Sequence, residues 1–225
     1  MGAFFEGRQS DSPYIEFIWR GHSDPNYDRT CPADSRWNIL LLKEKGRVKV
    51  TVEGPTTRAI SKFTAESTEF LVIKFKLGVF LPAFLLTELV NTDLLLPEGA
   101  GKSFWLNGST WQLPDFENAE VFVNRLARQE ILTHDRVVRA TLQNQPQEVS
   151  PRTVRRHFLQ TTGLTPKELQ QIERAQQAAN LLQQGQSILD TVAAAGYADQ
   201  SHLTRSLKRF YGLTPAQFGK EVFAE

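Results

Sequence analysis

GYADQSHLTRSLKRFYGLTPAQF, residues Gly196 to Phe218, is the stretch whose reading decides the fold. Just before it, Ile188 to Ala195 has the length and pattern of a short helix. That helix ends at Gly196, a residue that takes positive φ without a Cβ clash. A tight turn follows, and a second helix starts at Gln200. In it Leu203, Leu207 and Phe210 recur at helical spacing as a buried stripe. Gln200, Ser201, His202, Thr204, Arg205 and Lys208 are left outside. Two short helices joined by a turn, the second with a polar early face and a basic trailing end, have the chemistry of a helix-turn-helix that enters the DNA major groove. Early positions reach base edges, so Thr204 or Arg205 reads a base or holds a phosphate. Lys208 and Arg209 lie further back and suit phosphates, which position without specifying.

Upstream the same pattern occurs again. Arg152-Thr-Val-Arg-Arg-His-Phe-Leu-Gln-Thr-Thr-Gly-Leu-Thr-Pro matches His202-Leu-Thr-Arg-Ser-Leu-Lys-Arg-Phe-Tyr-Gly-Leu-Thr-Pro in order and chemistry. Both segments are basic helices that close on Gly-Leu-Thr-Pro, at Gly163 to Pro166 and at Gly212 to Pro215. The glycine stops each helix and the Thr-Pro opens the next element. Ser150 caps the first copy with Pro151 at its first position. Val154 and Phe158 should face the core, leaving Arg152, Thr153, Arg155 and Arg156 outside, where an arginine can grip guanine with two parallel bonds. Between the copies, Thr165, Pro166 and Glu168 form a capping-box pattern for a long helix to Gln184, stopped by Gly185. Ser187 caps the next helix, with Asp190 at its third position. Before the first copy, Asn118 is read as the cap of a helix from Ala119 to Leu132, with Val121, Phe122, Leu126 and Ile131 on one face. A further helix, His134 to Gln143, is stopped by Pro146.

The N-terminal half has a different texture. Tyr14-Ile-Glu-Phe-Ile-Trp alternates in places, Trp37-Asn-Ile-Leu-Leu-Leu reads as a buried strand, and Arg47-Val-Lys-Val-Thr-Val-Glu alternates polar and apolar residues. Lys45-Gly46 and Gly54-Pro55 read as turns, and Glu69 to Lys76 as another strand. Leu86 to Trp111 reads as irregular, with loops at Pro97-Glu98-Gly99 and Asn107-Gly108. The expected fold is therefore α+β: a β-rich sandwich or barrel-like domain over residues 1–114, then an all-α domain over 115–225.

Residues from about 118 to 219 resemble the DNA-binding domain of AraC/XylS-type transcription regulators. The resemblance rests on Ser150-Pro-Arg-Thr-Val-Arg-Arg-His-Phe, Arg174-Ala-Gln-Gln-Ala-Ala-Asn-Leu-Leu, Ser187-Ile-Leu-Asp-Thr-Val-Ala and Ala195-Gly-Tyr-Ala-Asp-Gln-Ser-His-Leu-Thr-Arg. It implies two helix-turn-helix subdomains joined by a linker helix and a role as a sequence-specific DNA-binding regulator. The second subdomain matches closely. The first departs from the family pattern between Val138 and Ser150, where the usual Leu-Ala pair is missing and Pro146 lengthens the turn. By position, residues 1–117 resemble the sensor or oligomerisation domains attached to such regulators. The implied partners are double-stranded DNA, a small-molecule effector, a second copy of the chain and RNA polymerase. The alternative is a ligand-independent regulator whose N-terminal domain makes protein contacts only.

Composition bounds these readings. The 225 residues are 40% hydrophobic and 23% charged, ordinary for a globular protein. The net charge of +1 conceals an asymmetry, with nine basic against six acidic residues after position 149. The longest apolar runs are too short for a bilayer, and the N-terminus shows no secretory pattern. A single cysteine, Cys31, fits a reducing cytoplasm. Of the four histidines only His22 lies in the β-rich part, so no metal cluster is expected. No phosphate-binding loop or nucleophile elbow is present, and neither catalysis nor a cofactor is expected. Trp19, Trp37, Trp105 and Trp111 are read first as core residues and second as the wall of an effector pocket.

Overall fold

The computed structural model describes residues 3–218. In chain order the strands are β1 (Ala3–Gln9), β2 (Ile15–Ser23), β3 (Tyr27–Cys31), β4 (Asn38–Glu44), β5 (Arg47–Glu53), β6 (Ile60–Thr64), β7 (Thr68–Phe75), β8 (Val79–Phe80), β9 (Asp93–Leu95), β10 (Ser103–Leu106) and β11 (Ser109–Gln112). Helix α1 (Ala119–Arg128) and the short strand β12 (Thr133–His134) follow. The helices α2 (Arg136–Leu142), α3 (Pro151–Thr162), α4 (Pro166–Gln183), α5 (Ile188–Ala194) and α6 (Gln200–Tyr211) complete the order. A β-rich region is thus followed by a helical one, as the sequence texture implies. The chain packs into two compact units. The first holds residues up to 27, 36–55 and 64–165, and the second holds 28–35, 56–63 and the helices from Pro166 onward.

The first unit is built on a six-stranded antiparallel sheet in the order β1-β2-β7-β4-β5-β9. Strands β4 and β7 lie at its centre and are apolar on both faces, the pattern of a strand covered on two sides. Ile39, Leu41, Leu71, Ile73 and Phe75 enter the main core with Ile15, Ile18, Val50 and Val52. Leu40, Phe70 and Val72 point the other way and gather Phe5, Trp19 and Leu42. The main core is completed by Phe104, Leu106 and Trp111 of the β10–β11 ribbon and by Ala119, Phe122, Val123 and Leu126 of α1. Arg8 of β1 grips the Glu120 carboxylate of α1 with both guanidinium nitrogens and also donates to the Phe116 carbonyl (2.8 Å). That bond holds the Glu120 carboxyl below its usual range.

Several sequence readings change in detail. Residues 86–111 carry regular structure: a 3-10 turn (Leu86–Glu88), β9 and the β10–β11 hairpin. Asn107 and Gly108 both have positive φ (50° and 74°), the signature of a two-residue hairpin turn, as do Lys45 and Gly46 (48° and 78°) between β4 and β5. Asn118 precedes α1, but its side chain accepts from the Asp115 N–H instead of capping the helix. Helix α1 stops at Arg128, and Glu130 turns left-handed (φ 57°) so that Ile131 and Leu132 reach the core from outside the helix. Val121 is exposed, and the buried face is Ala119, Phe122, Val123 and Leu126. His134 belongs to β12, and Asp135 is the cap that starts α2 by accepting from the Val138 N–H (2.9 Å). The tryptophans do not line one pocket. Trp37 stacks on Phe75 at 3.9 Å and donates to the Val79 carbonyl, Trp111 lies in the main core, Trp19 is on the opposite face of the sheet and Trp105 is exposed.

The second unit packs α4, α5 and α6 with the paired strands β3 and β6. Helix α4 buries Leu169, Ile172, Ala175, Ala178, Ala179 and Leu182, three of them small enough for close helix approach. Gly185 ends this turn at positive φ, as its position after the periodic run implies.

Candidate nucleic-acid interface

In the second unit, the Ser187 hydroxyl accepts from the Asp190 N–H (3.1 Å) and starts α5. The helix ends at Ala194, and Gly196 turns the chain at φ 68°. Tyr197 then plugs the turn. It is buried, its hydroxyl lies 2.8 Å from Ser206 Oγ, its ring meets His202 edge-on, and the Arg174 guanidinium sits over it at 5.5 Å. Burial raises the Tyr197 pKa, with the Ser206 bond and Arg174 opposing. Asp199 is the cap of α6, accepting from the His202 N–H (2.7 Å). An aspartate directly before a periodic apolar run is a legible helix start.

Helix α6 buries Leu203, Leu207, Phe210 and Tyr211. Gln200, Ser201, Arg205 and Lys208 are exposed, while His202 and Thr204 are half-buried. Thr204 Oγ1 donates back to the Gln200 carbonyl (2.8 Å), which leaves its hydroxyl oxygen an acceptor. Arg209 is drawn aside: its Nε donates to the Thr57 carbonyl (3.2 Å). The outer face of α6 therefore presents an amide, a hydroxyl, a guanidinium and an ammonium from a helix whose inner face is fixed. Those groups match base edges and phosphates.

In the first unit, α3 has the same start and stop. The Ser150 hydroxyl accepts from the Thr153 N–H (3.2 Å), Pro151 follows, and Gly163 closes the helix at φ 72°. Thr153 Oγ1 lies 3.0 Å from Ser150 Oγ, which ties this side chain to the cap. Arg152, Arg155 and Arg156 are exposed. They share a cleft of about 620 Å³ with Thr153, Leu159, Gln160, Leu85 and Thr87. Phe158 is buried as expected, but Val154 is only half-covered. Helix α3 is tied to α2 by His157 Nδ1, 2.7 Å from Asp135 Oδ2, the carboxylate whose other oxygen caps α2. The connection from α2 to α3, residues 143–150, is longer than the 195–199 turn between α5 and α6.

A short helix, a glycine-pinned turn and a capped second helix with a polar, basic outer face define a helix-turn-helix protein. Residues 147–221 match the family model described as a helix-turn-helix domain. The matched residues, a third of the chain, form a helix-turn-helix domain of the AraC type. The transcriptional regulator RipA of Corynebacterium glutamicum is 40% identical over 72 residues, 32% of this chain and 22% of RipA. The bifunctional transcriptional activator and DNA repair enzyme Ada of Escherichia coli is 37% identical over 70 residues, 31% of this chain and 20% of Ada. The matched segment thus spans about a fifth of each relative's length. The structure of ToxT from Vibrio cholerae aligns over 97% of this chain and 98% of its own, with a TM-score of 0.39 at 12% identity. Among the described residues no helix is long and apolar enough to cross a membrane.

Proposed function

We propose that the protein is a sequence-specific transcription regulator of double-stranded DNA, with α6 and α3 as its two major-groove helices. The observation that carries this reading is the outer face of α6, where polar and basic side chains stand exposed on a helix locked at its start, inner face and end. Gln200, Ser201, His202 and Thr204 belong to the early turns that meet base edges, Arg205 reads a guanine or grips a phosphate, and Lys208 holds the backbone. Arg152, Thr153, Arg155 and Arg156 are the corresponding set on α3. The family resemblance supports RNA polymerase as a partner and the cytoplasm as the site of action. No catalytic step is assigned to the chain.

For the N-terminal half we propose regulation, by an effector or through a second copy of the chain. The functional division is residues 1–114 against 115–225, although α1 to α3 pack with the sheet. A purely protein-contacting N-terminal half is the second reading, favoured by the dispersal of the four tryptophans. Selection of bound sequences from a random DNA pool, with the full-length protein, tests the central proposal. A recovered consensus supports it, and an unenriched pool rejects sequence-specific reading. A metabolite screen by thermal shift and a sedimentation measurement separate the two roles of the N-terminal half.

A further inference from the structure

The end of α6 is finished by residues that lie far away in sequence. A helix leaves its last carbonyls without intrahelical partners, and they must be satisfied by something else. The Lys208 carbonyl accepts from Gly212, the usual glycine closure. The next two carbonyls do not follow that pattern. The Arg209 carbonyl accepts from the Ala59 N–H (2.9 Å) and the Phe210 carbonyl from the Ala33 N–H (2.7 Å). In return, the Arg209 guanidinium donates to the Thr57 carbonyl (3.2 Å). The two donor loops are locked to each other. The Thr56 N–H donates to the Asp34 carbonyl (2.7 Å), and the Asp34 N–H donates to Thr56 Oγ1 (2.9 Å). Gly212 lies against both loops, since a Cβ there would stand 3.3 Å from Thr30 Cγ2 and 3.6 Å from Ala59 Cβ. Tyr211 is buried at the same end, and its hydroxyl pKa is raised by burial and then by the Asp34 charge.

We infer that residues 28–35 and 56–63 are positioning elements of the DNA-reading unit, fixing the axis of α6 through its C-terminal carbonyls. The inference rests on the proposal that α6 is a reading helix. Each loop also has a covalent consequence. Residues 28–35, with most of β3, lie between β2 and β4, and residues 56–63, with most of β6, lie between β5 and β7, so both segments leave and re-enter the six-stranded sheet in sequence. The segments that finish the reading helix thus come, in sequence, from the N-terminal half of the chain. A helix free to pivot at its end still attracts phosphates, but its early side chains no longer meet base edges in a fixed geometry.

The test uses the full-length protein, a DNA site recovered by selection, and a scrambled duplex of the same length. Thr56→Val removes the acceptor for the Asp34 N–H while keeping the side-chain shape. Its affinity for the selected site should fall about three- to tenfold, the scale of one net hydrogen bond. Affinity for the scrambled duplex and the salt dependence should stay unchanged, since no phosphate contact is lost. Thr56→Ser should restore the selected-site affinity. Ala59→Pro deletes a donor to α6 outright and should have a larger effect in the same direction. If circular dichroism shows that it is unfolded, Thr56→Val and its serine rescue decide alone. Arg205→Ala is the control for the underlying reading. If Arg205→Ala weakens selected-site binding while Thr56→Val and a folded Ala59→Pro do not, the positioning role is wrong and the reading helix stands. If Arg205→Ala also changes nothing, the assignment of α6 fails, and this inference with it.

Discussion

The two helix-turn-helix motifs open and close alike but are held by different forces. Helices α3 and α6 each run for 12 residues, start at a side-chain cap and stop at a left-handed glycine followed by Leu-Thr-Pro. Helix α6 then buries two leucines, a phenylalanine and a tyrosine, whereas α3 buries one phenylalanine and two threonines. Those threonines spend their hydroxyls on the helix itself, Thr161 on the His157 carbonyl and Thr162 on that of Phe158. Helix α3 is further attached by the His157–Asp135 contact and by the close approach of Gly163 to Leu86. A repeated sequence thus specifies where a helix begins and ends, but not how firmly it is seated.

The difference should appear most clearly in core truncations. Leu207 is wholly buried, so Leu207→Ala should cost about 2–5 kcal/mol. Val154→Ala, at a half-covered site, should cost about 1 kcal/mol or less. Urea unfolding read by amide exchange within each helix measures both. Equal losses would show that α3 is seated as firmly as α6 and would break the contrast.

The exit glycines sharpen the contrast in the opposite direction. Alanine at either would be strained by positive φ, at roughly 1–2 kcal/mol. At Gly163 the new Cβ would also stand 2.6 Å from the Leu86 carbonyl oxygen, which is backbone and cannot swing away. At Gly212 the nearest atom is a threonine methyl at 3.3 Å. Gly163→Ala should therefore destabilise more than Gly212→Ala by thermal melting. The reverse order would mean that the Leu86 turn yields more readily than its packing suggests.

Binding should follow seating. Arg205→Ala should weaken specific DNA binding by about 1–3 kcal/mol, and Arg156→Ala on the less firmly seated helix by less. Fluorescence titration at fixed salt checks this, and a larger loss at Arg156 would move the main reading role to α3.

The smallest expected effect is one of pH. His134, at the base of the first motif, stacks on Tyr14 at 4.7 Å, and its buried Nε2 has no hydrogen-bond partner. Burial first, then the charges of Arg139 and Lys76, lower its pKa from the ordinary 6.5. A histidine depressed in the folded state binds fewer protons than in the unfolded chain, so it costs nothing above about 6.5 and destabilises as pH falls below that value. Protection of amides in α2 should weaken on acidification, and His134→Gln should flatten that trend. An unchanged slope in the variant would remove His134 as the cause.

The second motif was legible in the sequence because its signals are local. Serine and proline starts, glycine stops and a leucine stripe are all read within one or two turns. Strand existence was legible where apolar residues alternate or run together, as in β4, β5 and β7. Strand β1 was not, because Phe4-Phe5-Glu6-Gly7-Arg8 follows neither pattern, and it is held by pairing with β2 and by the Arg8–Glu120 bond. The buried face of α1 is not legible at Val121, because Val121 and Val123 flank Phe122 with the same side chain and only the fold buries Val123 and exposes Val121. The loops that finish α6 could not be read at all. Ala33 and Ala59 contribute only backbone N–H groups, which leave no mark in side-chain chemistry.

The common length of α3 and α6 has a rotational meaning. Each residue of an α-helix advances the side-chain direction by about 100°. In α6 the cap at Asp199 orients the polar face, and Gly212 with its neighbouring loops orients the far end. These two settings are locked together by a fixed number of residues. Inserting one residue between His202 and Leu203 would keep every chemical group of the face and every contact of the exit, yet turn Gln200, Ser201 and His202 against the far end by more than a quarter of a circle. The helix behaves like a key whose teeth and handle are cut from one piece, so an unaltered composition can still present the wrong edge to the groove.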